Sequence, residues 1–366
     1  MKVALVHDPL YKLGGAERVL AAIHDLYPAS PVYTPIYDPA DTEGAFGGWD
    51  IRTSFLQKFP GRLRLINFYR ALMPLAVEQW DLGDYDLVIS SSTSVAKGVL
   101  TRQDALHVCY VHNVTRFAWY DLEEHVSGAG FSLAAWPARA ALSYFRQWDF
   151  LAADRPDYLV ANSRNTAEKI RKYYRRKVDA VIHPFVDIER FKTSRERGDY
   201  FLIISRLEPH KKVDIAIEAF NALGLPLKIV GTGPDERKLR SRAKSNIKFL
   251  GRLPDREVDD ILPRCLAFLY PQEEDFGITA LEAMVCGRPV IAYGKGGALE
   301  TVVPGVTGEL FAEQTPASLQ RVVASFDPAR YTSSRIRKHA GKFSKEQFQR
   351  RFAGFVERTT ESHGIH

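Results

Sequence analysis

Short, continuous apolar runs followed by helix-forming stretches recur along this chain, and the series stops and restarts once. KVALVH (2–7), DLVISSS (86–92), LHVCYVH (106–112) and DYLVANS (157–163) form a first set. YFLIISRL (200–207), LKIVGTG (227–233), IKFLGRL (247–253), LAFLYP (266–271) and PVIAYG (289–294) form a second. Strands that are apolar on both faces and alternate with helices belong to parallel sheets covered on both sides. At 366 residues two cores are expected in place of one. The pattern therefore predicts an α/β chain of two doubly wound parallel-sheet domains facing across a cleft. The first is expected over residues 1–187, a polar, charged linker over 188–199, and the second over 200–343. The last stretch, 344–366, reads as a helix that packs back toward the first domain. Ser344 and Gln347 fit a capping box, and Phe348, Phe352, Phe355 and Val356 fall on one helical face.

Composition excludes several classes. No run approaches the ~20 apolar residues of a membrane-spanning helix. The opening MKVALVHDPLYKLGG begins as a strand and lacks the features of a secretion signal, which predicts a cytoplasmic protein. Cys109, Cys265 and Cys286 are scattered and odd in number, so neither a disulfide framework nor a zinc site is expected. The net charge of +6 lies entirely beyond residue 190, since acids and bases balance before it. That excess suits a small anionic ligand and is too weak to imply nucleic acid. Two stretches, 51–74 with Arg52, Lys58, Arg62, Arg64 and Arg70 and no acid, and 130–155 with Arg139 and Arg146, interleave cations with aromatic and aliphatic residues. They fit either peripheral contact with an anionic membrane at its inner face or a helical cover on the first domain.

Ligands of doubly wound sheets sit outside the carboxyl ends of the strands, so residues there carry the chemistry. After LAFLYP comes QEEDFGITALEAMVCG, in which a helix should start near Gly277. The free N–H groups and positive dipole end of such a start suit a diphosphate. Glu274 before it and Glu282 one turn into it would accept hydrogen bonds from hydroxyls on either side of that diphosphate, the layout of a nucleotide-sugar. After YFLIISRL, the segment SRLEPHKK places Arg206 and Lys211, with Lys212 in reserve, where a departing phosphate needs positive charge. These cations are otherwise solvated side chains at a helix start, where the dipole disfavours them. Gly14 and Gly15, before another helix, offer backbone N–H groups to the same diphosphate or simply form a turn. No GxGxxG follows the first strand, which argues against a dinucleotide cofactor. His112 ends its strand and is read evenly as a structural residue or as a partner of a sugar hydroxyl. The Asp84-Tyr85-Asp86 triple precedes its strand and is rejected as a metal site; no cofactor is expected.

Together EEDFGITALEAMVCGRPVIAYGKGGALETV, SRLEPHKKVDIAIEAF, VGTGPDERKLR and GGAERVL resemble the retaining glycosyltransferases of family 4, which have the GT-B fold. VISSS, CYVHNVTRFAW, ANSRNTAEKIRKYY and EEDFGI look most similar to the bacterial mannosyltransferases of polysaccharide and O-antigen assembly. The resemblance implies that Glu274 contacts the transferred sugar and Glu282 the ribose. It implies that Arg206 and Lys211 stabilise the leaving diphosphate, and that the backbone at Phe276, Gly277 and Ile278, with Gly14 and Gly15, holds sugar and phosphate. It places His112 near the reacting carbon. The implied reaction is metal-independent transfer by front-face attack, from GDP-mannose to a glycan or lipid-linked glycan. Asp275-Phe276 departs from the family's usual Gly-Phe, and the Asp275 side chain is expected to point away from the sugar. A UDP-sugar donor, a GT-B-shaped sugar-nucleotide epimerase and a non-catalytic scaffold are the competing readings.

Overall fold

A computed structural model describes residues 1–120, 136–194 and 196–365. The chain divides into two compact units, Met1–His183 with Phe348–His366, and Pro184–Gln347. Both are built as the apolar runs dictate.

Among the described residues unit 1 holds seven strands, all paired in parallel: β1 (Val3–His7), β2 (Val32–Thr34), β3 (Ile51–Thr53), β4 (Leu87–Ser92), β5 (Leu106–Val111), β6 (Tyr158–Ala161) and β7 (Ala180–Val181), in the order β3-β2-β1-β4-β5-β6-β7. β4 and β5 are buried at every position, which explains why they read as unbroken runs and not as alternating ones. The order reverses at the β1–β4 boundary, a crevice where ligands of such sheets bind. Among the described residues of the second basic stretch, the helix Trp136–Ala152 buries Phe145, Trp148 and Ala152 in the core; positions 130–135 lie outside the described residues. The helix Lys345–Ser362 lays its aromatic stripe on this sheet. Phe348 and Phe352 meet Tyr110 at 5.7 and 6.1 Å, and Phe355 meets Tyr158 at 6.0 Å.

Unit 2 holds β8 (Phe201–Ile204), β9 (Leu227–Val230), β10 (Ile247–Gly251), β11 (Phe268–Tyr270), β12 (Val290–Tyr293) and β13 (Gly308–Phe311), in the order β10-β9-β8-β11-β12-β13, again all parallel. Its reversal lies between β8 and β11. The described residues of 188–199, a stretch expected as a linker, fold into this unit instead. Phe191 is buried in its core, and Arg190 pairs with Asp255 and Asp259, both at 3.1 Å. One buried aromatic and one well-paired arginine suffice to anchor a stretch whose letters are otherwise polar. All three cysteines are buried and free, and no helix among the described residues is long and apolar enough to cross a membrane.

Candidate functional site

In unit 2 the reversal brings the ends of β8 and β11 side by side, and with them two segments 63 residues apart in sequence. Beyond β8 the chain makes a one-turn helix, Pro209–Lys211, and Lys212 takes up the left-handed conformation, with φ 52°, before the helix Val213–Leu223 begins. A side chain is seldom held in that region, and such strain gathers at functional loops. Lys211, not Lys212, turns to β11: its ammonium donates to Glu274 Oε1. Glu274 Oε2 accepts from the buried Tyr270 hydroxyl at 2.8 Å. Burial, and then the Glu274 charge, push the Tyr270 hydroxyl far above its usual range, so it remains a donor. Glu274 is thus fixed from both oxygens.

The loop carrying Glu274 is held from beneath. Gly297 N–H donates to Glu274 O at 2.8 Å, and a Cβ on Gly297 would fall 2.2 Å from the Phe276 backbone. Only glycine permits that approach. Phe276 itself is buried and packs edge-on against Phe343 at 5.7 Å, which leaves its backbone as the part facing the loop. Gly277, at φ 93°, is the start of the helix Ile278–Val285, whose first N–H groups have no side-chain cap. Glu282 lies one turn inside and is half-buried, within electrostatic range of Arg190. Arg206 does not join the Lys211–Glu274 pair. It is 64% exposed and pairs with Glu208 at 3.0 Å. Chemically the cluster offers a carboxylate fixed for hydroxyl recognition, a lysine beside it and an uncapped helix start.

In unit 1, His112 follows β5 and shares a 2.8 Å hydrogen bond with Ser91 Oγ at the end of β4. Burial, with the neighbouring His7 charge, pushes its imidazole down to about 3, so it is neutral at ordinary pH and acts as a hydrogen-bonding group. The glycine turn differs from the expectation in one respect. The Gly14 N–H is already taken, donating to Glu17 Oε2 at 2.9 Å, because Glu17 stands three residues into the helix and reaches back to cap it. Gly15 opens that helix, Gly15–His24.

Two residues that the motif reading passed over sit at the same crevice. His7 ends β1, with Nε2 3.9 Å from Glu17 Oε1 and a buried Nδ1 that has no partner among the described residues. Its T-shaped contact with His112 has a ring separation of 6.4 Å. Asp8 accepts from the backbone N–H groups of Thr93, Ser94, Val95 and Ala96 and from the Thr93 and Ser94 hydroxyls, closing the loop after β4. Burial alone would raise the Asp8 carboxyl; the His7 charge and these bonds outweigh it and hold it below the usual range. The strand-end rule that selected His112 selects His7 and Asp8 equally. What they touch could not be read from their letters.

The fold has solved counterparts along nearly the whole chain. HepE from Anabaena, crystallised in complex with UDP, superposes with a TM-score of 0.71 at 20% identity, covering 98% of this chain and 100% of that one. The alpha-1,3/1,6-mannosyltransferase alg2 of Schizosaccharomyces pombe is 30% identical over 203 residues, 42% of this chain and 40% of that protein. A GDP-mannose-dependent monoacylated alpha-(1-6)-phosphatidylinositol monomannoside mannosyltransferase of Corynebacterium glutamicum is 39% identical over 116 residues, 27% of this chain and 30% of that protein. The aligned part spans about half the length of the curated relatives it matches, or less. Residues 13–190 match Glycosyltransferase Family 4, and residues 185–343 match Glycosyl transferases group 1. The two domain matches overlap at 185–190 and together span residues 13–343; with two parallel sheets of the GT-B type, they support a GT4-type glycosyltransferase.

Proposed function

We propose that the chain is a retaining glycosyltransferase that moves a hexose, α-mannose from GDP-mannose, to a glycan acceptor by metal-independent front-face transfer. The observation that carries the reading is the fixed Glu274, held by Tyr270 and Lys211 directly before the uncapped start of Ile278–Val285. The transferred sugar's hydroxyls would bind Glu274, and the ribose hydroxyls Glu282. The diphosphate would lie at the backbone of Phe276, Gly277 and Ile278, drawing Lys211 and the exposed Arg206 to its developing charge. In unit 1, neutral His112 and the Gly15 end of the helix Gly15–His24 are assigned to substrate binding, His112 as a hydrogen-bond partner of a sugar hydroxyl. Mannose is favoured by the mannosyltransferases among the relatives, and GDP by the GDP-mannose dependence of the Corynebacterium glutamicum protein. A UDP-sugar is the second reading, because HepE was crystallised with UDP-glucose.

Thermal unfolding against GDP, UDP, ADP and dTDP tests the donor. A nucleotide at ~100 times its Kd adds about 2.7 kcal/mol to the state that binds it. Stabilisation by GDP alone is expected; stabilisation by UDP alone would remove mannose and keep the fold's chemistry. Transfer is then measured with Glu274→Ala and Lys211→Ala, each expected to lose ~10²-fold or more. Two variants with parental rates would refute the site, and sugar released in epimerised form without any acceptor would replace transfer with epimerisation.

A further inference from the structure

The basic, acid-free stretch that begins at β3 does not end as a cover on unit 1. After β3 the chain runs through a short helix Ile66–Tyr69, a turn Arg70–Leu72 and the helix Met73–Glu78. These elements bury Tyr69, Met73, Ala76 and Val77 in the core of unit 1. The opposite side is apolar and open: Phe68 is 79% exposed, Leu75 59% and Leu65 45%. From Ile51 to Val77 there is no acid. Arg52 and Arg62 are spoken for by Asp50 and Asp38, and Arg70 lies over Phe117 at 4.4 Å. Lys58 and Arg64 make no ion pair among the described residues and are exposed, Arg64 next in sequence to the open Leu65. The helix Trp136–Ala152 packs next to the Arg70–Leu72 turn and adds exposed Tyr144 and Leu151, seven residues apart on one helical face. Arg70 is also within electrostatic range of Tyr11, in the loop that runs on through exposed Lys12 and Leu13 to Gly14.

Scattered exposed apolar side chains need no explanation. Three within eleven residues, beside uncompensated cations and with no acid, form a patch of the kind that marks an interaction site. We infer that this face of unit 1 is a docking surface for an anionic lipid bilayer, with Phe68, Leu65 and Leu75 seated at the headgroup boundary and Lys58 and Arg64 on the acidic headgroups. The charge decides the occupant: a second copy would bring the same cations against themselves, whereas an anionic bilayer complements them. The inference deepens the proposed function, because a membrane held next to the Gly14 turn makes a lipid-linked glycan the accessible class of acceptor.

The test is co-sedimentation of the full chain with vesicles of phosphatidylcholine alone and of phosphatidylcholine with about one-third phosphatidylglycerol, at low and high salt. Binding is expected only to the anionic vesicles and only at low salt. Phe68→Ser and Arg64→Glu should each weaken it roughly tenfold, with unchanged unfolding temperatures because both side chains are exposed. Equal binding to both vesicle types, no binding, or binding indifferent to both variants would overturn the inference. So would a dimer in sedimentation equilibrium that Phe68→Ser dissolves while vesicles capture nothing. None of these readouts uses a nucleotide-sugar, so failure here leaves the transferase reading standing, and failure of transfer leaves this one.

Discussion

Lowering the pH from 8 to 5 should destabilise unit 1 before any of its carboxylates titrate. His107 and His112 are both buried and both pushed down to about 3, His107 by burial and the Arg155 charge, His112 by burial and His7. Each is held neutral against a serine, Ser90 and Ser91 respectively, at 2.8 Å. In the unfolded chain a histidine titrates near 6.5. Above that value both states are neutral and the two residues contribute nothing to the pH dependence. Below it the unfolded chain takes up two protons that the folded unit refuses, so stability is lost as pH falls from about 6.5 toward 3. At pH 5 each site costs about 2 kcal/mol and the pair about 4. For a unit of this size that is a fall in Tm of roughly 10 °C. The carboxylates Asp8 and Glu17, whose folded values are lowered, act in a separate window: their stabilisation is present above their unfolded values and is lost only as pH falls through the folded ones.

The assay is direct, because all five tryptophans (Trp49, Trp80, Trp119, Trp136 and Trp148) lie in unit 1, and their fluorescence reports its unfolding alone. His107→Gln and His112→Gln keep an amide close to the ring nitrogen's place against each serine and remove the titration. Each should take away about half of the acid sensitivity between pH 8 and 5, and the double variant most of it. A parental Tm that is flat over this range, or a double variant with the parental slope, would refute the argument. The second result would also return His112 to the ordinary imidazole range, where the neutral ring can serve as a proton acceptor near neutral pH.

Two further perturbations have signs fixed by the structure. Lys97 and Asp149 form a fully buried ion pair at 2.5 Å, with Thr115 and Trp119 also donating to Asp149 at 2.7 Å. Lys97→Met or Asp149→Leu alone should cost 3–5 kcal/mol or so by stranding a charge. Together they should recover most of the loss, as urea unfolding followed by fluorescence would show. Gly277→Ala would set a Cβ 2.6 Å from the Tyr270 hydroxyl at a positive φ. It should destabilise unit 2 by about 1–2 kcal/mol in calorimetry and lower turnover further than that loss explains, by moving the hydroxyl that holds Glu274.

Why Lys211 and Glu274 could be named from sequence while their bond could not is a matter of strand order. Each stands just past an apolar run, and unbroken runs such as LVISSS and FLII survive as strands because they are buried on both faces. The strand-end rule therefore marks the right letters in both units. It does not say which ends are neighbours: that follows from β11 inserting beside β8 after β9 and β10 have been laid on its other side. The three-residue strands β2 and β3 escape the same reading for the opposite reason. Ile51–Thr53 is an edge strand with Arg52 exposed, so nothing apolar and continuous announces it, and its residues merge into the basic stretch that follows. Gly14 shows the remaining limit. Two glycines before a helix look like free donors to an anion, yet a glutamate three residues on can occupy one of them, and the same four letters encode both outcomes. If a diphosphate does reach this turn, it must displace the Glu17 carboxylate from Gly14 or bind beyond it. Glu17→Gln separates the two, because removing the charge should tighten nucleotide binding in the first case and leave it unchanged in the second.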